Sequence, residues 1–288
     1  MEAPDRNLAL DLVRVTEAAA LASARWLGKG DKNAGDQAAV DAMRLSFDTI
    51  NIQGMIVIGE GEKDEAPMLF NGEAVGSGAG PAMDVAVDPV EGTRLLAYGR
   101  PNAIAVVGVA PKGSMFDPGP SYYMQKLVAP SCARDAVDLD APVADNLKGI
   151  AKALDKDVDD LVVFVLDKPR HKKLIEDIRA AGARIQLHTD GDVAGSLMAL
   201  DPKDMVDVMM GTGGTPEGVL SACAIRAVGG QMLARLAPQS EDERSRLVEA
   251  GIDLKRVLTA EDPVSSHDTF FAATGISAGT WLEGVSFS

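Results

Sequence analysis

Cysteine and histidine are nearly missing from this chain of 288 residues, which holds 2 of the first and 3 of the second. Cys132 and Cys223 stand far apart with no ligand-type residues beside them, which excludes both a disulfide framework and a zinc cluster. His171, His188 and His267 are too scattered for a metal site and are expected at the surface or behind a site; no Ser-His-Asp or Cys-His constellation is visible. Basic charge is also short: 28 Lys and Arg face 43 Asp and Glu, for a net charge of -15. An acidic chain is a poor ligand for nucleic acid, whose binding needs cations to displace counterions from phosphates. No apolar run is long enough to span a bilayer, and Met1-Glu2-Ala3-Pro4-Asp5 lacks the basic start and apolar stretch of a signal peptide. These shortages lead to the expectation of a protein of the reducing cytoplasm that engages no membrane.

What is present is an ordinary globular composition, 46% hydrophobic with 25% charged residues. Low-complexity segments and internal repeats are absent. The length suits two domains with buried cores. Apolar positions at Leu8, Leu12, Val15, Ala19, Ala22 and Trp26 recur at steps of three and four, which predicts a helix stopped by Gly28 and Gly30. A polar loop over 30–36 and a helix over 38–50 follow, then strands over 55–58, 83–87, 103–109 and about 122–128, all expected in a first domain of residues 1–140. The turn-rich stretch 130–146 reads as a connection or a short strand. In residues 141–288, strands over 161–166, 184–188 and 205–210 alternate with helices over 171–181, 193–200 and 216–228. That alternation predicts an α/β domain around a mainly parallel sheet, with ligands at the carboxyl ends of its strands.

Those strand ends carry the chemistry-bearing residues. Asp88-Pro89-Val90-Glu91-Gly92-Thr93-Arg94 follows one apolar strand, and Gly59-Glu60-Gly61-Glu62-Lys63-Asp64-Glu65 follows another. Acids delivered to one sheet edge form an oxygen-only cluster, which selects a hard cation, magnesium or manganese, over zinc. Candidate ligands are Asp36, Glu60, Asp88, Glu91 and Glu217. Each has a blander reading: Asp36 as a helix N-cap, Asp88 and Glu91 in a type I turn, Glu60 to Glu65 as a solvated acidic loop. Lys168 and Arg170 suit a phosphate clamp or are simply solvated bases. Gly211 to Gly214 before Pro216 reads as a backbone loop favouring an anion, or as an ordinary helix start capped by Thr215. It is neither a Walker loop nor a dinucleotide fingerprint.

In order along the chain, Gly30-Asp31-Lys32-Asn33, the segment from Gly59 to Leu69, Asp88 to Arg94, Lys168-Pro169-Arg170-His171, Asp190-Gly191-Asp192, the segment from Gly213 to Gly218 and the segment from Ala272 to Ile276 resemble class II fructose-1,6-bisphosphatase of the bacterial GlpX type. Asp-Pro-Val-Glu-Gly-Thr by itself resembles the wider lithium-sensitive phosphatase signature. The resemblance implies an α/β sugar phosphatase fold with two sheets, layered α/β/α/β/α, in a homodimer or homotetramer. It implies a Mg2+- or Mn2+-dependent hydrolase that removes the 1-phosphate of fructose 1,6-bisphosphate, a step of gluconeogenesis. Alternatives are a sedoheptulose-1,7-bisphosphatase or dual-specificity enzyme, an inositol- or nucleotide-phosphate phosphatase, and a catalytically poor sugar-phosphate-binding regulator. By the same resemblance Asp36 and Glu60 would hold one cation, Asp88 and Glu91 another, with Glu217 a further ligand. Asp64, Glu62, Thr93 and Lys32 would serve catalysis, Asp64 near the attacking water. Substrate contacts would fall on Glu91, Gly92, Thr93, Tyr123, Lys168, Pro169, Arg170, Asp190, Gly191, Asp192 and Gly214. Members of that family continue into a closing C-terminal strand region, so the end of this chain at residues 284–288 leads to the expectation of an uncovered edge on the second sheet.

Overall fold

The computed structural model of the chain describes residues 7–61 and 68–287, which places the expected catalytic residues Glu62 and Asp64 outside the described residues. The architecture is mixed α/β with two mixed sheets, and the chain divides into two units, residues 1–115 with 268–288, and residues 116–267. Among the described residues no helix is long and apolar enough to cross a membrane.

The first unit opens with α1 (Leu8–Ala24), whose N-cap Asn7 accepts a hydrogen bond from the Ala9 N–H, and α2 (Lys32–Phe47), capped in the same way by Asp31. Helix α2 therefore starts before the expected 38. The stretch Lys32 to Asp36 has no apolar periodicity, and Gly35, a poor helix former, stands in the first turns because a Cβ there would meet Leu96 at 2.7 Å and Trp26 at 3.2 Å. Strands β1 (Gln53–Ile58), β2 (Ala74–Val75) and β3 (Ala82–Glu91), the short α3 (Thr93–Ala97) and β4 (Ile104–Pro111) follow. The last strand of the chain, β11 (Phe270–Gly275), returns to pair with β4, giving the order β11-β4-β3-β1-β2. Thr16 on α1 and Thr274 on β11 share a hydrogen bond of 2.8 Å across the helix–sheet contact. Leu12, Val15, Ala19, Met43 and Phe47 of the helices pack with Val85, Val87, Val107 and Val109 of the sheet into one core.

The second unit comprises β5 (Tyr123–Ala129), α4 (Val143–Ala153), β6 (Val162–Leu166), α5 (Lys172–Ala180), β7 (Arg184–His188), α6 (Asp192–Met198), β8 (Val208–Gly214), α7 (Thr215–Val228), β9 (Gln231–Leu236), α8 (Glu241–Glu249) and β10 (Leu258–Thr259). The sheet order is β10-β9-β5-β8-β6-β7. Val163 and Val165 of β6 face a core with Leu147 and Ile150 of α4 and Ile178 of α5. Phe164 points to the opposite face, so close to α6 that only glycine fits at 195, where a Cβ would come within 2.4 Å of its ring.

Three sequence expectations are corrected here. The strand at Tyr123–Ala129 pairs with β8 and β9 inside the second sheet, and not in the first unit. That sheet is mixed: β6 runs parallel to β7 and β8, but β5 runs antiparallel to β8 and β9, a pairing between strands distant in sequence that local periodicity does not encode. The described C-terminal residues belong to the first sheet, so β11 and not a strand of the second sheet is the element nearest the chain end.

Candidate active site

Parallel strands of one sheet end at a common edge, and each sheet places its own expected residues at its own such edge. In the first unit β1 and β3 are parallel, which brings Glu60, just past β1, and the Asp88 to Glu91 segment of β3 to one end of the sheet. The segment is not a Pro-initiated turn. Strand β3 continues through Glu91, and from Asp88↔Val106 to Glu91↔Ile104 it advances three residues against two on β4, a β-bulge. In a regular strand residues three apart point to opposite faces. One extra residue restores the parity, and Pro89, which cannot donate to the ladder, is tolerated at such a bulge. Val87 and Val90 thus both enter the core with α1 and α2. Asp88 and Glu91 both turn the other way, with carboxylate oxygens within 4.8 Å of each other. Glu91 is buried and Asp88 half-buried, its Oδ1 accepting from the Val90 N–H at 3.0 Å.

Gly92 follows in the left-handed region, φ 90° and ψ 50°, as the residue before α3, and Thr93 is the first residue of that helix. A side chain at 92 would be strained by its backbone and would meet Leu95 at 2.8 Å. Asp36 is not an N-cap, since Asp31 fills that role; it lies one turn into α2, where its carboxyl hydrogen-bonds Glu60. Burial raises the Asp36 pKa, opposed by that hydrogen bond and by the charge of Lys32 one turn earlier. The expected acidic loop therefore begins with a Glu60 held against α2, its own N–H bonded to the Leu69 carbonyl at 2.9 Å. Two carboxyls in hydrogen-bond contact must share a proton or a cation.

In the second unit β6, β7 and β8 are parallel, and the start of antiparallel β5 reaches the same edge, where Tyr123 pairs with Gly214. Four segments meet there. Lys168 Nζ donates to Asp190 Oδ1 at 2.9 Å, so this lysine is a compensated charge and not a free one. Arg170, exposed, donates from Nε to the Thr212 carbonyl at 2.8 Å and lies over the Tyr123 ring at 5.2 Å. Pro169 is the first residue of the 3-10 turn that carries Arg170. Gly191, φ 95° and ψ 56°, turns the chain between Asp190 and Asp192. The two acids consequently serve different partners: Asp192 accepts from Lys126 Nζ at 2.5 Å. The segment Gly211 to Gly214 is not a loop but the end of β8, and Thr215 caps nothing, its hydroxyl bonding that of Ser121 at 2.8 Å. The glycines there make room for acids: a Cβ at 213 would come within 1.7 Å of Asp192 Oδ2, and one at 214 within 1.7 Å of Glu217 Oε2. Glu217, in the first turn of α7, keeps that Oε2 buried and without a hydrogen-bond partner among the described residues. Burial and the Asp192 charge push its pKa up, against the opposing Lys126 charge.

These donor sets fit a hard cation. All are carboxylates, they come in pairs that repel unless a positive charge is shared, and Glu217 Oε2 is buried with no partner among the described residues. One group escaped the sequence reading. Lys126, fully buried, occupies a core-facing position between Met124 and Val128, and a charge at an inward strand position was the available signal. His171, expected at the surface or behind a site, is buried behind this one. Its Nδ1 lies 2.6 Å from the Leu166 carbonyl and its Nε2 accepts the Thr212 N–H at 2.7 Å, so the ring is neutral with its proton on Nδ1, joining the ends of β6 and β8. Burial lowers its pKa. His188 stacks on Phe164 with centroids 4.4 Å apart. Cys223, its thiol pushed up to about 12 by burial, is inert.

Residues 6–288 match the sequence profile of the bacterial fructose-1,6-bisphosphatases, glpX-encoded. The chain is 47% identical over 294 aligned residues to fructose-1,6-bisphosphatase 1 class 2 of Escherichia coli K12, covering 98% of this chain and 87% of the relative. The figures are the same for fructose-1,6-bisphosphatase class 2 of Shigella flexneri.

Proposed function

Because this chain belongs to the glpX-encoded bacterial fructose-1,6-bisphosphatase family, we propose that it hydrolyses the 1-phosphate of fructose 1,6-bisphosphate to fructose 6-phosphate and inorganic phosphate. The observation that carries the reading is the bulge in β3, which turns Asp88 and Glu91 to the same side at a strand end, directly before the left-handed Gly92 that opens α3. Asp36 with Glu60, Asp88 with Glu91, and Glu217 would hold Mg2+ or Mn2+. When bound, such cations lower the pKa of water and neutralise charge on the phosphoryl oxygens.

The chain's own residues would divide the remaining work. Gly92 and Thr93 would meet the scissile phosphate, the Thr93 hydroxyl orienting the water whose oxygen forms the new P–O bond as the bond to the sugar oxygen breaks. In this proposal Asp64 acts near that water and Glu62 serves catalysis, with Lys32 supporting Asp36 at a spacing of one helical turn. Arg170, held by Tyr123 and the Thr212 carbonyl, would bind the distal 6-phosphate, and Lys168, Asp190, Asp192 and Gly214 the sugar. Binding energy from that remote phosphate fixes the reacting end. The cytoplasm as compartment and a homodimer or homotetramer complete the proposal, the assembly to be measured by sedimentation.

The test is phosphate release by the purified protein from fructose 1,6-bisphosphate, sedoheptulose 1,7-bisphosphate and inositol monophosphate, each with magnesium, manganese or chelator. Metal-dependent release from fructose 1,6-bisphosphate, with little from the monophosphate, is expected. Preference for the seven-carbon sugar would move the assignment to sedoheptulose bisphosphate. Binding without any release would leave a sugar-phosphate-binding regulator.

A further inference from the structure

A lysine taken out of water needs partners of good geometry, since an unanswered buried charge costs several kcal/mol. Lys126 is 0% exposed in the interior of β5, opposite Gly211 of β8 and Ala234 of β9. Its ammonium donates to Asp192 Oδ2 at 2.5 Å and to the Gly214 carbonyl at 2.9 Å. Asp192 begins α6 directly after Asp190 and Gly191, and Gly214 closes β8 directly before α7, the helix that carries Glu217. The packing beside the ammonium admits only glycine at two positions: a Cβ at 213 would come 1.7 Å from Asp192 Oδ2 and 3.2 Å from Lys126 Nζ, and one at 218 would come 2.7 Å from Met124 Sδ.

We infer that Lys126 is a positioning residue for sugar-phosphate binding, its buried ammonium locking the start of α6 and the end of β8 into the one arrangement in which Asp192 and Gly214 can meet the substrate. The inference rests on the proposed function, which places Asp192 and Gly214 at the sugar. A second ion pair in the same sheet supplies the contrast. Lys156 Nζ meets Asp207 at 2.5 Å where Asp207 also accepts the Val162 N–H, at the amino ends of β6 and β8, away from the strand ends that carry Asp190 to Asp192 and Gly214. That pair closes the sheet and touches none of the proposed substrate residues.

The experiment is steady-state kinetics on fructose 1,6-bisphosphate with Mg2+ or Mn2+, beside thermal melts, for the wild type, Lys126→Met, Gly213→Ala and the control Lys156→Met. Gly213→Ala reaches the same contact differently, by driving a methyl into Asp192 Oδ2 while leaving the lysine in place. At temperatures where each protein is folded, Lys126→Met and Gly213→Ala are expected to raise KM about tenfold or more while kcat falls less, the range seen when a supporting partner is lost. Lys156→Met is expected to lower the melting temperature with KM unchanged. A folded Lys126→Met whose KM stays within about twofold of wild type overturns the inference, because a purely structural lysine would shift only the melt. Should that variant fail to fold, the same unchanged KM in Gly213→Ala overturns it. A wild type that releases no phosphate under any metal condition sinks the functional reading as well, an outcome distinct from active wild type with indifferent variants.

Discussion

Gly214→Ala adds one methyl group, and two effects of opposite sign compete. The backbone at 214, φ -69° and ψ 148°, is one that alanine adopts freely. Loss of unfolded-state entropy would therefore stabilise the protein by about 0.4–1 kcal/mol if nothing were near. The new Cβ, however, would stand 1.7 Å from Glu217 Oε2 and 2.5 Å from its carboxyl carbon. Neither side yields easily, since Gly214 is paired with Tyr123 and its carbonyl holds Lys126, while Glu217 Oε2 is sealed from solvent. Overpacking costs about 1–3 kcal/mol, and a clash this deep belongs at the upper end, so the clash wins by about 2 kcal/mol. For a unit of this size the melting temperature should fall about 4–8 °C. The assay is a thermal melt of wild type, Gly214→Ala, Glu217→Ala and the double variant, in chelator so that bound cation does not intervene. Truncating Glu217 removes the obstructing oxygen and leaves only the entropy gain, so adding Gly214→Ala to Glu217→Ala should stabilise by about 0.4–1 kcal/mol, a coupling of about 3 kcal/mol in the cycle. Additive losses, or a melt for Gly214→Ala within about 1 °C of wild type, would refute the packing argument.

Asp88→Asn keeps the oxygen that accepts the Val90 N–H but removes the charge beside Glu91; metal-activated phosphate release should fall at least about 100-fold with the melt preserved in chelator, and near-normal turnover would defeat the ligand assignment. Arg170→Ala should raise KM for fructose 1,6-bisphosphate about 10- to 100-fold, the worth of charge-assisted hydrogen bonds to phosphate, while a small monophosphate is turned over nearly as before; equal losses on both substrates would remove Arg170 from the distal phosphate. For His171 the folded pKa lies below 6.5, so the unfolded chain binds its proton first as pH falls. Its contribution to stability is then complete above about 6.5 and is lost as pH drops through the folded pKa, where a protonated Nε2 can no longer accept the Thr212 N–H. The neighbouring Arg170 charge favours the neutral ring and Asp192 opposes it. Melting temperature against pH should therefore fall more steeply below 6.5 in wild type than in His171→Asn, and parallel curves would contradict the neutral tautomer.

What the sequence by itself determined was local. Apolar runs followed by acids, glycines and bases identify β1, β3, β6 and β7 and the strand-end residues Glu60, Asp88, Glu91, Lys168, Arg170, Asp190 and Asp192, because strand periodicity and turn chemistry are written in adjacent residues. Helices α1 and α7 were legible for the same reason, whereas α8 and β9 went unread and α4 was passed over as part of a connection although Val143, Leu147, Ile150 and Leu154 carry a helical period. Tertiary structure decided the rest. The parity of Asp88 and Glu91 depends on how many residues β4 sets against them, which no residue of β3 encodes. Asp36 reads as a helix cap until Asp31 is seen to take that place and Glu60 to meet it. The glycines at 213 and 214 resemble a phosphate loop in isolation, yet their neighbours are Asp192 and Glu217, brought in by other elements. Lys126 is the extreme case, a residue whose role exists only because β5 crosses into the second sheet and places its ammonium between the ends of two strands far away in sequence.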